Sequence, residues 1–465
     1  MEMNEEKRNN ALLQRVKNKI NRISFISGSK IWFVLLPIVF ITAADQVLFV
    51  ELLEVMQRDL GGYFAIAISE SVFIISIAVF TLIFGYYSDK VSRKLLLYVG
   101  GLFGSIFILL TGFAYSLITL IIFRMFAGIG LGAALPVAFS LLSDSIKGKN
   151  RSKAFSIWAL AQIIGGLPAL AALGLVVLDV PFLWHQPFLL VGIIGLIMSF
   201  LPLFVKEPKR ASKEEELEEV ILLEGLEYSY RIKIKDLKVI YKRKSNFWLI
   251  INFIDTIAPA MLVAYIIPYI STALDDGIID IFTLIPVGIL ILLGILFGNF
   301  GISYIADRLY EKDKTWRAKM AIICAIGEVP FVAIGIFLLP YMGNFIFSII
   351  IGVNLGIGLA FTFGISPNWY GTLIDVNLPE NRGTMIATAT ALDQGGRALG
   401  TMIGGVIATI SVLLALQFSV LFMVISVLPW IPVLFYIRRD LEEINDILKN
   451  RAIEIKKMNI NSGEN

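Results

Sequence analysis

Three ionisable residues stand inside stretches of the chain that otherwise hold almost none: Asp45, Glu70 and Arg124. Arg124 lies in the apolar run Leu117–Asp144, followed by Gly128, Gly130, Gly132 and Pro136. A charge buried in a bilayer is costly unless it is paired, so such residues point to function. At ~1.5 Å of helix rise per residue, Asp45 is ~12 Å and Arg124 and Glu70 are ~11 Å from the outer ends of their spans. Two acids facing one arginine cannot both be comfortably ionised, so one is expected to bind and release a proton. The expected carrier is Asp45: protonation releases Arg124, and deprotonation recaptures it. Glu70 is either a second carboxylate of the same cluster or a liner of the outer vestibule. The plainer alternative is a static ion pair that locks two helices.

The rest of the composition narrows the chemistry. The single cysteine, Cys324, and the single histidine, His185, exclude an intrachain disulfide and a multi-thiolate or multi-histidine metal site. No nucleophile–base constellation and no GxxxxGK[ST] loop are present, so neither an enzyme nor ATP-driven transport is indicated. No metal, cofactor or nucleic-acid partner is expected.

The elements that position these residues are membrane helices. The chain of 465 residues is 57% hydrophobic, against roughly 45–50% in soluble domains, and the excess falls in blocks of about 20. Twelve spans are expected near 31–53, 63–86, 95–114, 117–141, 154–177, 187–205, 247–271, 281–304, 320–340, 343–366, 384–410 and 414–437. Residues 1–30 read as a cytosolic N-terminal segment, 31–205 as one six-helix half and 246–438 as the other. Residues 206–245 read as a solvated cytosolic linker, from KEPKR through the acidic EEELEE to KIKDLKVIYKRK, and 439–465 as a cytosolic tail. No cleavable signal peptide is expected.

Charge placement sets orientation. Arg124 and Arg397 lie inside spans and Arg58 in the first loop; the remaining lysines and arginines sit on the termini, the linker and alternate loops. Both termini are therefore expected in the cytosol. The halves also repeat. Asp89–Lys90 after span 2 matches Asp307–Arg308 after span 8. Asp144 precedes Asn150–Arg151 as Asp375 precedes Asn381–Arg382, and Gly165 follows Arg151 as Gly396 follows Arg382. Spans 1 and 7 each hold one inner acid, Asp45 and Asp255. Four such matches in one order indicate duplicated halves.

These motifs carry a resemblance. Gly85-Tyr-Tyr-Ser-Asp89-Lys90-Val-Ser-Arg93-Lys94 resembles the signature loop between helices 2 and 3 of the major facilitator superfamily of secondary transporters. Lys90 and Ser92 stand where that family usually has arginine and glycine, and the second copy has Ser303 at a usual glycine. Arg124-x-x-x-Gly128-x-Gly130 resembles the span 4 motif of proton-coupled members, including drug antiporters, whose span 5 motif is matched in part by Gly165-Gly166-Leu-Pro168. The span 1 acid with RMFAGIGLGAALPVAFSLLSDSI also resembles spinster-like lysolipid transporters, which usually carry an acid where Leu131 stands here.

The resemblance implies an all-α membrane protein of twelve transmembrane helices in two pseudo-symmetric six-helix halves, working by alternating access. It implies a cavity lined by spans 1, 4, 7 and 10, with Gln46, Thr256, Met261, Tyr265, Tyr269, Asn354 and Trp369 as candidate contacts. Asp255 joins them, as does the pair Asp393 and Arg397, four apart on one helix face, which either neutralise each other or face the cavity. Span 9 is usually peripheral, so Glu328 is expected to make a helix–helix hydrogen bond. The gate is assigned to Gly85, Asp89, Lys90, Arg93, Asp144, Asp307 and Arg308: a carboxylate such as Asp89 capping a helix of the opposite half, and Arg93 bridging to Asp144.

The sequence thus reads as a monomeric, multi-pass plasma-membrane transporter, driven by protons and exporting an amphipathic or lipophilic substrate, a drug-like cation or a lysolipid. Rival readings are proton-coupled uptake of an organic anion held by Arg124 or Arg397 and, from another class, a non-transporting receptor or scaffold.

Overall fold

The computed structural model describes residues 35, 38–49, 52, 56, 59–60, 63–88, 90–165, 183–204, 207–218, 221, 226, 228, 230, 242–279, 281–408 and 410–463. Every regular element among them is a helix. Nine described stretches are long and apolar enough to cross a bilayer, and a shorter apolar helix, α1 (Ile38–Phe49), precedes them. The first half continues with α2 (Tyr63–Ser88), α3 (Arg93–Thr111), α4 (Leu117–Leu131), α5 (Ala134–Ser145), α6 (Arg151–Gly165) and α7 (His185–Ser199). The second holds α8 (Lys244–Ile251), α9 (Ile257–Asp275), α10 (Ile281–Leu296), α11 (Ser303–Tyr310), α12 (Trp316–Phe337), α13 (Phe345–Asp375), α14 (Arg382–Ala408), α15 (Val412–Ser426) and α16 (Trp430–Gly463). The 27-residue α14 is absent from the apolar set, which fits its Asp393, Gln394 and Arg397. The expected N-terminal segment and much of span 5 lie outside the described residues.

Span 4 is two helices, α4 and α5, meeting at Gly132–Ala133. Pro136 cannot donate to the carbonyl four residues before it, that of Gly132. The Thr81 hydroxyl on α2 donates to this carbonyl at 3.1 Å, so a neighbouring helix satisfies the group that proline frees. Gly128 brings α4 onto α2: a β-carbon there would sit 2.5 Å from the Phe73 carbonyl oxygen. That approach places Arg124, one turn earlier, beside the α2 face that carries Glu70.

Among the described residues, the core is shared at one end only. At the basic end, one buried cluster joins Leu97, Phe139 and Phe155 of the first half to Ile302, Tyr370 and Ile386 of the second. Phe139 packs edge-on to Tyr370, with ring centroids 4.6 Å apart. Toward the opposite end each half keeps its own cluster, around Phe49, Phe73 and Phe188 and around Val287, Val332 and Leu416. Helix α14 crosses onto α2 at the basic end. A β-carbon at Gly85 would lie 2.2 Å from that of Ala387 and 2.9 Å from the Gly383 carbonyl oxygen, so only glycine permits this approach.

Candidate functional site

Two buried groups of charges lie on this frame. The first joins α1, α2 and α4. Arg124 Nη1 meets Asp45 Oδ2 at 2.7 Å, and Nη2 meets Glu70 Oε2 at 2.5 Å. Arg124 and Asp45 are fully buried, whereas the Glu70 side chain keeps 15% of its exposure. The guanidinium lies between two rings, 3.8 Å from the Phe73 centroid and 4.4 Å from that of Phe49, so ring faces and carboxylates both stabilise it. Asp45 Oδ1 has no hydrogen-bond partner among the described residues. The three residues singled out in sequence are thus brought into contact.

The second group lies at the basic end, across the halves. Arg382 Nη1 binds Glu214 Oε1 at 2.6 Å. Glu214 also binds Arg151, which reaches Asp375 at 2.7 Å. Asp375 in turn binds Arg317, and Arg317 binds Asp307 at 2.8 Å. No side chain in this chain of six is more than 9% exposed. Asp307 accepts the backbone N–H groups of Ser152 and Lys153 at 3.3 and 3.0 Å, an anion at the N-terminus of α6, where the helix dipole favours it. Burial by itself would raise the Glu214 carboxyl; the charges and hydrogen bonds of Arg151 and Arg382 outweigh it and bring the group down to about 2.

The expected gate residues divide. Arg93 does bind Asp144, with Glu207 added at 2.8 Å. Gly85 and Asp307 lie at the interface. Asp89 lies outside the described residues. Lys90, however, is exposed and turns back onto the Tyr86 ring and hydroxyl in the last turn of α2, and Arg308 is exposed outside the network. The linker also departs from expectation: Ser212, Lys213 and Glu214 are only 3–7% exposed, because they are packed into the interface.

The candidate substrate contacts divide likewise. Asp393 and Arg397 pair at 3.2 Å, with the Arg397 side chain 61% exposed. Thr256, the residue before α9, shares its hydroxyl between the Phe253 carbonyl at 2.8 Å and the Asp393 carbonyl of α14 at 3.1 Å, and Tyr265 of α9 donates to the Thr401 carbonyl of α14 at 2.7 Å. Asp255 is half-buried. Gln46 and Tyr269 are half-buried, and Asn354 donates to the Ile350 carbonyl of its own helix. Met261 is fully buried, and Trp369 is buried with its indole N–H on the Leu249 carbonyl at 2.9 Å. Neither is available as a cavity contact, because both fill helix–helix interfaces. Glu328 accepts from Thr362 of α13 at 2.7 Å, the helix–helix bond expected of it.

Sequence reasoning missed Arg317 and Glu214, and left Arg151, Asp375 and Arg382 as repeat markers without a role. The signal for those three was the repeat itself, since acids and arginines at matching offsets in two halves can meet across the axis.

A family model for the Major Facilitator Superfamily matches residues 35–400. Multidrug resistance protein 3 of Bacillus subtilis is 28% identical over 38% of this chain and 34% of its own length. The sphingosine-1-phosphate transporter SPNS2 of Danio rerio is 31% identical over 35% of this chain and 33% of its own. The chain thus spans about a third of the length of these curated relatives. Among solved structures, the E. coli fucose:proton symporter superposes with a TM-score of 0.64 at 13% identity, covering 89% of this chain and 99% of that one, a likeness of fold.

Proposed function

The chain belongs to the Major Facilitator Superfamily, and from that premise we propose that it is a proton-coupled secondary transporter exporting an amphipathic or lipophilic molecule, either a drug-like cation or a lysolipid. The observation that carries the reading is one buried arginine held between two carboxylates, one sealed and one partly open. Neutralising either carboxylate leaves a balanced pair; restoring it leaves a surplus negative charge in an apolar helix bundle. Such a site answers to one proton. Asp45, whose Oδ1 has no hydrogen-bond partner among the described residues, is the coupling carboxylate, and Glu70 is the acid through which the site meets the outer vestibule.

By the distribution of basic residues, the end with the shared core faces the cytosol. Closed there and partly open at Glu70, the protein is outward-facing. Alternating access then consists of opening the inner network while α1, α2 and α4 close over the trio. The substrate class follows the two relatives, one a multidrug protein and one a sphingosine-1-phosphate transporter. A second reading, uptake of an organic anion, is favoured by the exposed Arg397 guanidinium.

The test is transport in proteoliposomes with Asp45→Asn. Accumulation driven by a pH gradient should be lost while counterflow at equal pH persists. Proton-driven accumulation at the wild-type level overturns the assignment of Asp45.

A further inference from the structure

The linker occupies a place that the internal repeat reserves for a span residue. Asp144 and Arg151 in the first half correspond to Asp375 and Arg382 in the second. Arg151 crosses the interface to Asp375 at 2.7 Å. Symmetry would send Arg382 across to Asp144. Asp144 is instead taken by Arg93, and its Oδ1 accepts the backbone N–H of Ala211 at 2.9 Å. Arg382 turns to Glu214 of the linker at 2.6 Å, and the same carboxylate oxygen also holds Arg151.

Charge explains why that substitution is needed. Without Glu214, the buried network has three arginines, Arg151, Arg317 and Arg382, against two acids, Asp307 and Asp375. Glu214 brings it to neutrality. The segment that delivers it is firmly placed. Ala211 adopts φ of 58°, a left-handed conformation that an alanine keeps only where its surroundings impose it. Ser212 donates to the Asp144 carbonyl at 3.1 Å. Leu217 and Ile221 pack against Ile444, Leu448 and Ile455 of α16. A pocket of about 20 Å³ is lined by Arg151, Glu214 and Asp375 together with Leu441, Ile444 and Leu448 of α16, room for about one water.

We propose that the linker is a working part of the gate: Glu214 is a positioning residue that holds Arg151 of one half to Arg382 of the other, and residues 207–218 must leave the interface for the inner end to open. This rests on the alternating-access reading above. The linker is then a third element of the transport cycle, and whatever displaces it sets the balance between the outward and inward states.

The test measures opening in the full-length protein in nanodiscs. Spin labels are placed at Tyr87→Cys and Ile305→Cys in a Cys324→Ala background, and the ratio of open to closed distances at the inner end is read. Glu214→Gln should raise that ratio on the order of a hundredfold, as removal of one partner of a buried pair does. Glu214→Asp should fall between it and the parent. Glu214→Gln combined with Arg382→Gln should return the ratio toward the parent value, because two arginines and two acids remain. A merely structural role predicts instead that the double variant is worse than the single. That result overturns the proposal, as does an unchanged ratio in Glu214→Gln while Asp45→Asn still moves it. If no variant moves it, the alternating-access reading falls as well.

Discussion

The outer trio and the inner network are built from the same side chains in different proportions. Outside, one arginine faces two acids; inside, three arginines face three acids in an unbroken chain. Both are buried, so burial does not separate them. Balance does. A neutral buried network has nothing to gain from a proton and serves as a clamp, whereas a surplus carboxylate must find a proton or water. On the proposed function, coupling belongs to one end of the molecule and gating to the other, and each half of that proposal can be broken separately.

The largest effect should come from Arg124→Gln. It strands two carboxylates in a bundle with no cation beside them, at a cost of about 3–5 kcal/mol for ionised partners. Proton-driven accumulation should vanish and thermal stability at pH 8 should fall, with part of that stability returning at pH 5, where the carboxylates accept protons. A stability deficit that ignores pH would mean that the trio does not titrate. Next comes Asp375→Asn, which removes the link between Arg151 and Arg317. Glu214 and Asp307 still hold those arginines, so the cost is about 3 kcal/mol. It should appear as inner-end opening, read by the spin-label distances, with the outer trio undisturbed.

These two sites were unequally legible in the sequence. A charge in an apolar run is conspicuous, so Asp45, Glu70 and Arg124 declared themselves, and equal depth joined them. Charges in loops are ordinary. Arg317 counted only toward topology, and Glu214 stood in a run of acids whose usual fate is solvent. What removes Glu214 from solvent is the packing of two halves and the tail helix α16 around it, which no local pattern encodes. The repeat was visible, but its breaking was not, since the sequence of Asp144 and Arg382 says nothing of the linker that comes between them. Met261 and Trp369 fail for a related reason: an apolar or aromatic residue on a membrane helix packs or lines a cavity with the same local sequence.

The pH response should separate the two sites further. With its carboxyl brought down to about 2 from an ordinary 4.5, Glu214 contributes to closure fully above about 4.5. That contribution is lost as pH falls toward 2, and it amounts to up to about 3 kcal/mol at ~1.36 kcal/mol per unit. Inner closure should therefore be flat from pH 8 to pH 5. A midpoint of inner opening near pH 6 would erase the distinction between clamp and sensor.

The smallest effect makes the sharpest control. Glu218 lies four residues beyond Glu214 in the same acidic run and pairs with Lys147 at 3.0 Å. The two side chains keep 22% and 30% of their exposure, and partly exposed pairs contribute about 0.2–1 kcal/mol. Glu218→Gln should leave the open-to-closed ratio within about fivefold of the parent value, where Glu214→Gln moves it on the order of a hundredfold. Equal effects would mean that the linker acts through its summed acidity on a basic surface. Unequal effects would trace the clamp to burial at one position, which is what distinguishes two glutamates that the sequence presents alike.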